Sequence, residues 1–191
     1  MVNNTDLLSK IEEWKLELST NDKHIHFALL EIFIEFEKFL ANSFIAYALG
    51  QPSKDSYLPE RKLIFTDKEH LEGLLKCDKQ YIDYIKKIQE IKKHIFVENK
   101  CPFNKVFSSA DFISDFRQMQ MLRNFIAHQS EESKNKYISK VLNPRGISGY
   151  IKSDTFLKRI PRNKHDSYYS IYVETLKFHS EIICNPIVIS E

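Results

Sequence analysis

Apolar residues recur every three or four positions along almost the whole chain, which is the spacing of one face of an α-helix. The clearest example runs from Asn21 to Leu49, where apolar residues lie on more than one face, as in a helix at the centre of a bundle. Gly50 follows as a stop signal. Runs of Val and Ile are too short and rare to build a sheet. The pattern therefore predicts an all-α protein, a bundle of about five to six helices.

The helix boundaries follow from capping residues and helix breakers. Thr5 is a candidate cap of the first helix, and Thr66-x-x-Glu69 has the pattern of a capping box. The predicted helices cover residues 5–18, 21–49, 66–96, 109–128, 131–142 and 166–184, the third of these allowing a break near Cys77–Asp78.

Length and composition predict a folded, cytoplasmic protein. The chain has 191 residues, 42% hydrophobic and 13% aromatic, which excludes a disordered chain and suits a single domain over residues 1–191. The three cysteines form no CxxC pair and no zinc-type spacing with histidine, as expected for reduced thiols. The N-terminus has no secretory signal pattern, and charged residues interrupt the apolar stretch 25–49. We therefore expect no membrane partner.

Charge is distributed unevenly, although the formal net charge is only +2. Residues 133–165, called the basic segment below, hold nine cations and one acid, Asp154, so they carry +8 and leave −6 for the rest of the chain. The cations are Lys134, Lys136, Lys140, Arg145, Lys152, Lys158, Arg159, Arg162 and Lys164. Pro144, Gly146 and Gly149 predict a loop-rich backbone. The asymmetry favours a polyanionic partner, and a solvated lysine-rich loop is the alternative.

The string Arg-Asn-Phe-Ile-Ala-His at residues 123–128 ends the fourth long helix. At about 100° per residue, Asn124 and His128 lie about 40° apart, so the Asn124 amide can hydrogen-bond the imidazole. Arg123 and His128 lie about 140° apart, so they converge only if the helix turns near Ala127 or if a second copy of the chain completes the site. In a structural alternative, Arg123 pairs with a carboxylate and His128 caps carbonyl groups.

This string resembles the Arg-x4–6-His signature of the HEPN (higher eukaryotes and prokaryotes nucleotide-binding) superfamily. The sequence that follows is most similar to the RiboL-PSP-type HEPN proteins. The similar segments are HQSEESKNKYISKVL, GYIKSDTFLKRI and SYYSIYVETLKFHSEII. The resemblance implies a HEPN-like bundle that dimerises through its motif-bearing face and a metal-independent endoribonuclease without a cofactor. His128 would be the general base or acid for attack of a ribose 2′-OH on the adjacent phosphate. Arg123 would neutralise transition-state charge, and Asn124 would position its neighbours.

The same resemblance implies partners. RNA would bind along the nine cations of the basic segment, and the enzyme would act as a toxin or antiphage effector, with an antitoxin or regulatory partner. HEPN toxins that are modified on tyrosine carry it two positions after the histidine, where this chain has Ser130, so regulation by that route is not expected. The alternative is a catalytically inactive HEPN domain that serves as an RNA-binding or dimerisation module.

Further histidines and tyrosines have simpler interpretations. His24 and His26 flank the start of the second helix without a third ligand nearby in sequence, so no metal site is expected there. Tyr150, Tyr168 and Tyr169 lie in or beside the basic segment, where they can stack on bases or belong to the core.

Overall fold

The computed structural model describes residues 1–76 and 84–186, and it confirms the all-α class. Over these residues the chain forms nine α-helices and no β-strand. The helices are α1 (Thr5–Thr20), α2 (Ile25–Ala48), α3 (Lys68–Lys76), α4 (Tyr84–Ile95), α5 (Asn104–Ser108), α6 (Ala110–His128), α7 (Glu131–Tyr137), α8 (Ser153–Lys158) and α9 (Tyr168–Cys184). A π-helical turn at Ile138–Leu142 continues α7. None of the described helices is both long and apolar enough to cross a membrane.

The predicted number of five to six helices is too low. The predicted third helix corresponds to α3 and α4, and residues 77–83, with the expected break at Cys77–Asp78, lie outside the described residues. The other two additional helices, α5 and α8, are five and six residues long and bury only two apolar side chains each, so they produce almost no periodic signal. The predicted cap of α3 is also wrong: the Asp67 carboxylate, not Thr66, accepts the Glu69 N–H at 2.8 Å.

The predicted end of α2 at Gly50 is confirmed. Gly50 has a φ of +80°, a left-handed conformation in which glycine is favoured. The Arg61 guanidinium lies directly against it and donates from Nη1 to the Ala48 carbonyl oxygen at 3.0 Å, which satisfies one of the last carbonyls of the helix. A Cβ at Gly50 would lie 2.5 Å from that guanidinium. The left-handed backbone therefore requires glycine, and a side chain there would also displace the Arg61 guanidinium.

The chain divides into two compact units. The first comprises residues 1–5, 36–109 and 178–191. Its core contains the aromatic rings of Phe44, Phe96 and Phe103, whose centres lie 5.8–6.3 Å apart. Tyr47 is fully buried, and its hydroxyl donates to the Ile183 carbonyl at 2.7 Å, which ties α2 to the end of α9 within this unit.

The second unit comprises residues 6–35 and 110–177 and contains every residue of the predicted site. Phe33 of α2 packs on Phe116 of α6 with ring centres 4.8 Å apart. Near the end of α6, Phe125 stacks on Tyr137 of α7 at 4.9 Å and nearly parallel. Since both rings are buried, this stack fixes the end of α6 against α7.

Candidate active site

The motif lies in the last two turns of α6, and α6 ends at His128 because the next residue leaves the helical conformation. Gln129 has a φ of +48°, and its N–H still donates to the Phe125 carbonyl at 2.9 Å. Ser130 then caps α7, since its Oγ accepts the Ser133 N–H at 3.2 Å. His128 therefore lies at a helix C-terminus, where the final carbonyl groups carry partial negative charge.

Arg123 and His128 do not converge by unwinding of their own helix. α6 remains helical through His128, so the turn near Ala127 that would bring the two side chains together is not formed. The angle between them stays near 140° around the helix axis. Arg123 is half-buried, whereas Ala127 and His128 are exposed. Of the two predicted ways of completing the site, the turn within α6 is therefore not formed, and the second copy of the chain stays a prediction.

The side chain of Asn124 holds Arg123. Arg123 Nη1 donates to Asn124 Oδ1 at 2.9 Å, so this oxygen accepts from the guanidinium and not from the imidazole. The expected hydrogen bond between Asn124 and His128 is not formed: within the described residues the His128 ring has no hydrogen bond or ion pair. Asn124 thus holds the Arg123 guanidinium beside its own position on α6.

The two groups have complementary chemistry. A guanidinium is permanently charged and presents a planar set of N–H donors that matches two phosphate oxygens. An exposed imidazole is the side chain best suited to proton transfer near neutral pH. Together they can bind a phosphodiester and move a proton at it.

The lysines near the start of the basic segment already have partners within the chain. Lys134 pairs with Glu131 at 3.6 Å, and the next lysine, Lys136, pairs with Glu132 at 2.5 Å. Because both pairs are exposed, each contributes little to stability, and a phosphate group of a bound polyanion can replace the carboxylate. Lys158 pairs similarly with Asp22 of the turn before α2, at 2.7 Å.

Arg145, predicted to bind RNA, has its guanidinium engaged inside the second unit. Nη1 donates to the Val141 carbonyl at 2.9 Å and Nη2 to the Tyr172 hydroxyl at 2.8 Å. The guanidinium carbon lies 5.0 Å from the ring centre of Tyr168, and the rings of Phe156 and Tyr172 also lie within 6.0 Å. These contacts give Arg145 a structural role that its charge alone does not reveal.

Five cations of the basic segment remain on the surface. In the described part of the chain none of them forms an ion pair. They are Lys140, Lys152, Arg159, Arg162 and Lys164. They are the charges available to a polyanion, roughly half of the nine that the sequence predicts.

A cleft with a volume of about 580 Å³ lies beside the end of α6, within the second unit. Its walls come from α2, from the end of α6, from α7 and from the residues that lead into α8. They include His26, Phe125, Gln129, Lys134, Tyr150 and Asp154. Gln129 directly follows His128, so the cleft adjoins the motif along the chain.

His26 is the cleft residue that the sequence did not indicate. Its ring packs on Phe27 with centres 4.1 Å apart, and its Nδ1 is buried without a hydrogen bond among the described residues. Burial lowers the pKa of His26, and the Asp154 carboxylate opposes that shift. No local pattern could reveal the site, because about one hundred positions separate His26 from the remaining walls.

Two further observations complete the description of the site. Within residues 1–76 and 84–186, no three or more His, Cys, Asp or Glu side chains are arranged to hold a metal ion. The chain matches no protein-family model, and no curated protein or solved structure is significantly similar to it. The HEPN resemblance therefore rests on the motif residues themselves.

Proposed function

We propose that the protein is a metal-independent endoribonuclease of the HEPN type that acts as a homodimer. The observation that supports it most is the hydrogen bond from Arg123 to Asn124, which holds a guanidinium on the same helix, α6, that ends in the exposed His128. Cleavage of RNA by its own 2′-hydroxyl calls for proton transfer and for a cation at the phosphate. His128 supplies the first and Arg123 the second.

In the proposed reaction, the imidazole of His128 takes the proton of the ribose 2′-OH, and the 2′-oxygen bonds to the adjacent phosphorus. The bond from phosphorus to the 5′-oxygen breaks, and that oxygen receives a proton. The products are a 2′,3′-cyclic phosphate and a 5′-hydroxyl. The Arg123 guanidinium stabilises the additional negative charge on the phosphorus centre. A base and an acid are needed on opposite sides of the phosphorus, and two copies of His128 provide both.

The surface at the end of α6 supports the dimer. Arg123 and His128 of one chain diverge, so a phosphate held between them needs a second copy of the motif. Ala127 lies between them on the helix surface and is exposed. A small residue at this position lets a second α6 approach closely.

The exposed cations support RNA as the substrate. Lys152, Arg159, Arg162 and Lys164 follow the motif in the same unit and carry no intramolecular ion pair within the described residues. An RNA strand that leaves the motif can bind these charges through its phosphates. As a toxin or antiphage effector, such an enzyme stops growth when it is expressed without a restraining partner.

The test is cleavage of mixed RNA by the purified protein, with and without EDTA. His128→Ala should lower the cleavage rate about 10²- to 10⁴-fold, because proton transfer is lost. Arg123→Ala should lower it about 10²- to 10³-fold, because the charge at the phosphate is lost. EDTA should have no effect.

The matched control is His165→Ala. His165 is an exposed histidine of the basic segment that follows Arg159, so it imitates the motif without lying on α6. Its substitution should leave cleavage within twofold of the unmodified protein. Cleavage that survives His128→Ala and Arg123→Ala, or that requires a divalent metal, contradicts the proposal.

A second candidate function is an inactive HEPN-type module that binds RNA or mediates dimerisation. It is favoured by one observation, which is that His128 has no orienting partner among the described residues. Such a module binds RNA without cutting it, and its expression does not arrest growth. RNA binding that His128→Ala leaves unchanged, with no cleavage product, identifies this function.

A further inference from the structure

We propose that the cleft beside the end of α6 is a subsite for one base of a single-stranded RNA, with the ring of Tyr150 as its stacking surface. This inference rests on the proposed function, since it states how the same site holds its substrate. A volume of about 580 Å³ lies within the range of roughly 300–1,000 Å³ that small organic groups occupy in proteins.

Tyr150 is the one tyrosine of the predicted stacking group that the structure leaves accessible at the cleft. It is 47% exposed, its ring meets Phe125 edge to face with centres 6.0 Å apart, and the flexible Lys134 ammonium lies 5.3 Å from the ring centre, on a side chain that a stacking base would have to displace or share. By contrast, Tyr168 stacks on Phe156 at 4.5 Å and lies under the Arg145 guanidinium. Tyr169 is half-buried, and burial raises its pKa to about 12. Tyr150 is thus the most exposed ring of this group and the one that lines the cleft.

The charges of the cleft suit a base better than a phosphate. Lys134 and Lys152 line it together with Glu131 and Asp154, so the formal charges cancel. A phosphate needs an excess of cations, whereas a base is a neutral, polar, aromatic group. The phosphates of a bound strand would instead lie along the exposed cations outside the cleft.

The polar groups of the cleft can bind the edge of a base. Gln129 is exposed at the cleft and carries a donor and an acceptor on one side chain, which matches the paired donor and acceptor groups on the edge of a base. Asp154 uses Oδ1 to accept the Thr155 N–H at 2.7 Å.

The position of the cleft assigns the base to a nucleotide near the cleaved bond. Gln129 follows His128 directly, and Phe125 lies one residue after Asn124. A base that stacks on Tyr150 therefore places its own or the neighbouring phosphate at the end of α6. The subsite would hold the substrate in register with the motif.

The experiment measures binding in the full-length His128→Ala protein, so that RNA is not cut during the titration. The probe is a fluorescein-labelled single-stranded RNA octamer of mixed sequence, followed by anisotropy. Tyr150→Ala should weaken binding about 5- to 150-fold, the loss expected for one stacked base. Tyr150→Phe keeps the ring and should bind within twofold of the parent.

Two additions keep the test independent of folding. Ile160→Ala removes an exposed apolar side chain of the same segment, 60% accessible and outside the cleft, and should bind like the parent. Tyr150→Trp places a fluorophore at the stacking position, and RNA should quench its emission relative to the protein that has Trp14 alone. Equal affinities for Tyr150→Ala and Ile160→Ala, or an unquenched tryptophan at position 150, overturn the subsite.

The outcomes separate this inference from the proposed function. If the protein with His128 intact cuts no RNA but binding still depends on the ring at position 150, the ribonuclease fails and the base subsite stands. If His128-dependent cleavage occurs but Tyr150→Ala binds normally, the subsite fails alone. An octamer that does not bind at all overturns the subsite, whatever the outcome of the cleavage assay.

Discussion

In residues 133–145, three of the four cations already have partners within the chain: two lysines pair with glutamates three or four positions earlier, and Arg145 lies among aromatic rings. In residues 159–164, all three cations are exposed, and the described structure gives them no ion pair. The two stretches look alike in sequence, since both are basic and poor in acids. A basic sequence therefore overstates the charge that a ligand can use, because the folded neighbours decide which cations stay available.

The contrast is sharpest between Arg145 and Arg162. Replacing Arg145 with alanine removes two hydrogen bonds and the contact with three rings, and it leaves the Tyr172 hydroxyl in the core without this donor. We expect the free energy of unfolding to fall by about 3 kcal/mol, as measured by urea denaturation. Arg162→Ala, at an exposed position, should change it by less than about 0.5 kcal/mol. Equal effects of the two substitutions would abolish the distinction between the stretches.

The reverse experiment removes Arg159, Arg162 and Lys164 together by alanine substitution. Each phosphate contact contributes about 0.7 to the salt slope for single-stranded RNA, so the slope of log K against log salt should become shallower by about 2. At about 0.1 M salt this corresponds to roughly 100-fold weaker binding, while the free energy of unfolding stays nearly constant. The control is Lys134→Ala with Lys136→Ala, whose charges are partly neutralised within the chain and should matter less. A salt-independent affinity in the parent protein would make the exposed cations a solvated surface.

Lys158 is intermediate between the engaged Arg145 and the exposed Arg162. Its ammonium pairs with Asp22 at 2.7 Å, but both side chains are partly exposed. Lys158→Ala should therefore lower the free energy of unfolding by about 0.5 kcal/mol, and the difference should shrink as salt screens the pair. A loss comparable with that of Arg145→Ala would show that an exposed ion pair stabilises the fold as much as the contacts of Arg145 do.

The smallest expected effect concerns His26 and pH. Because burial lowers its pKa in the folded state, the unfolded chain takes up the proton first as the pH falls. The contribution of His26 to stability is therefore complete above about pH 6.5 and is lost as the pH falls from there toward the folded-state pKa. His26→Gln should reduce the loss of unfolding free energy between pH 7.5 and pH 5.5. His165→Gln, at an exposed position, should leave the fall in unfolding free energy unchanged. An identical pH dependence in both variants would contradict the burial of His26.

Much of the fold could be predicted from local patterns. The long helices α1, α2, α6 and α9 follow from apolar spacing, because a helix that buries one stripe repeats it many times over its length. The glycine after α2 marks its end for a local reason, the left-handed backbone. The short helix α8 was missed because it buries only Phe156 and Leu157, although Ser153 and Asp154 are typical of a helix start.

The candidate site was predictable only in part. The string from Arg123 to His128 and its place at the end of a helix are local, and the structure has them as expected. The hydrogen bond from Arg123 to Asn124 depends on which of several side-chain conformations the surroundings allow. Likewise, the ring of Tyr150 and the imidazole of His26 meet at one cleft only because α2 packs within the same unit as the end of α6.

The sequence by itself determined the helical class, the position of the motif and the concentration of cations in residues 133–165, since each depends on neighbours within a few positions. Only the tertiary structure decided that Arg145 stabilises the second unit, that Arg159, Arg162 and Lys164 remain on the surface, and that Tyr150 borders a cleft. The physical reason is distance along the chain. Charge, spacing and capping act locally, whereas burial and partner choice arise between residues that only folding brings together.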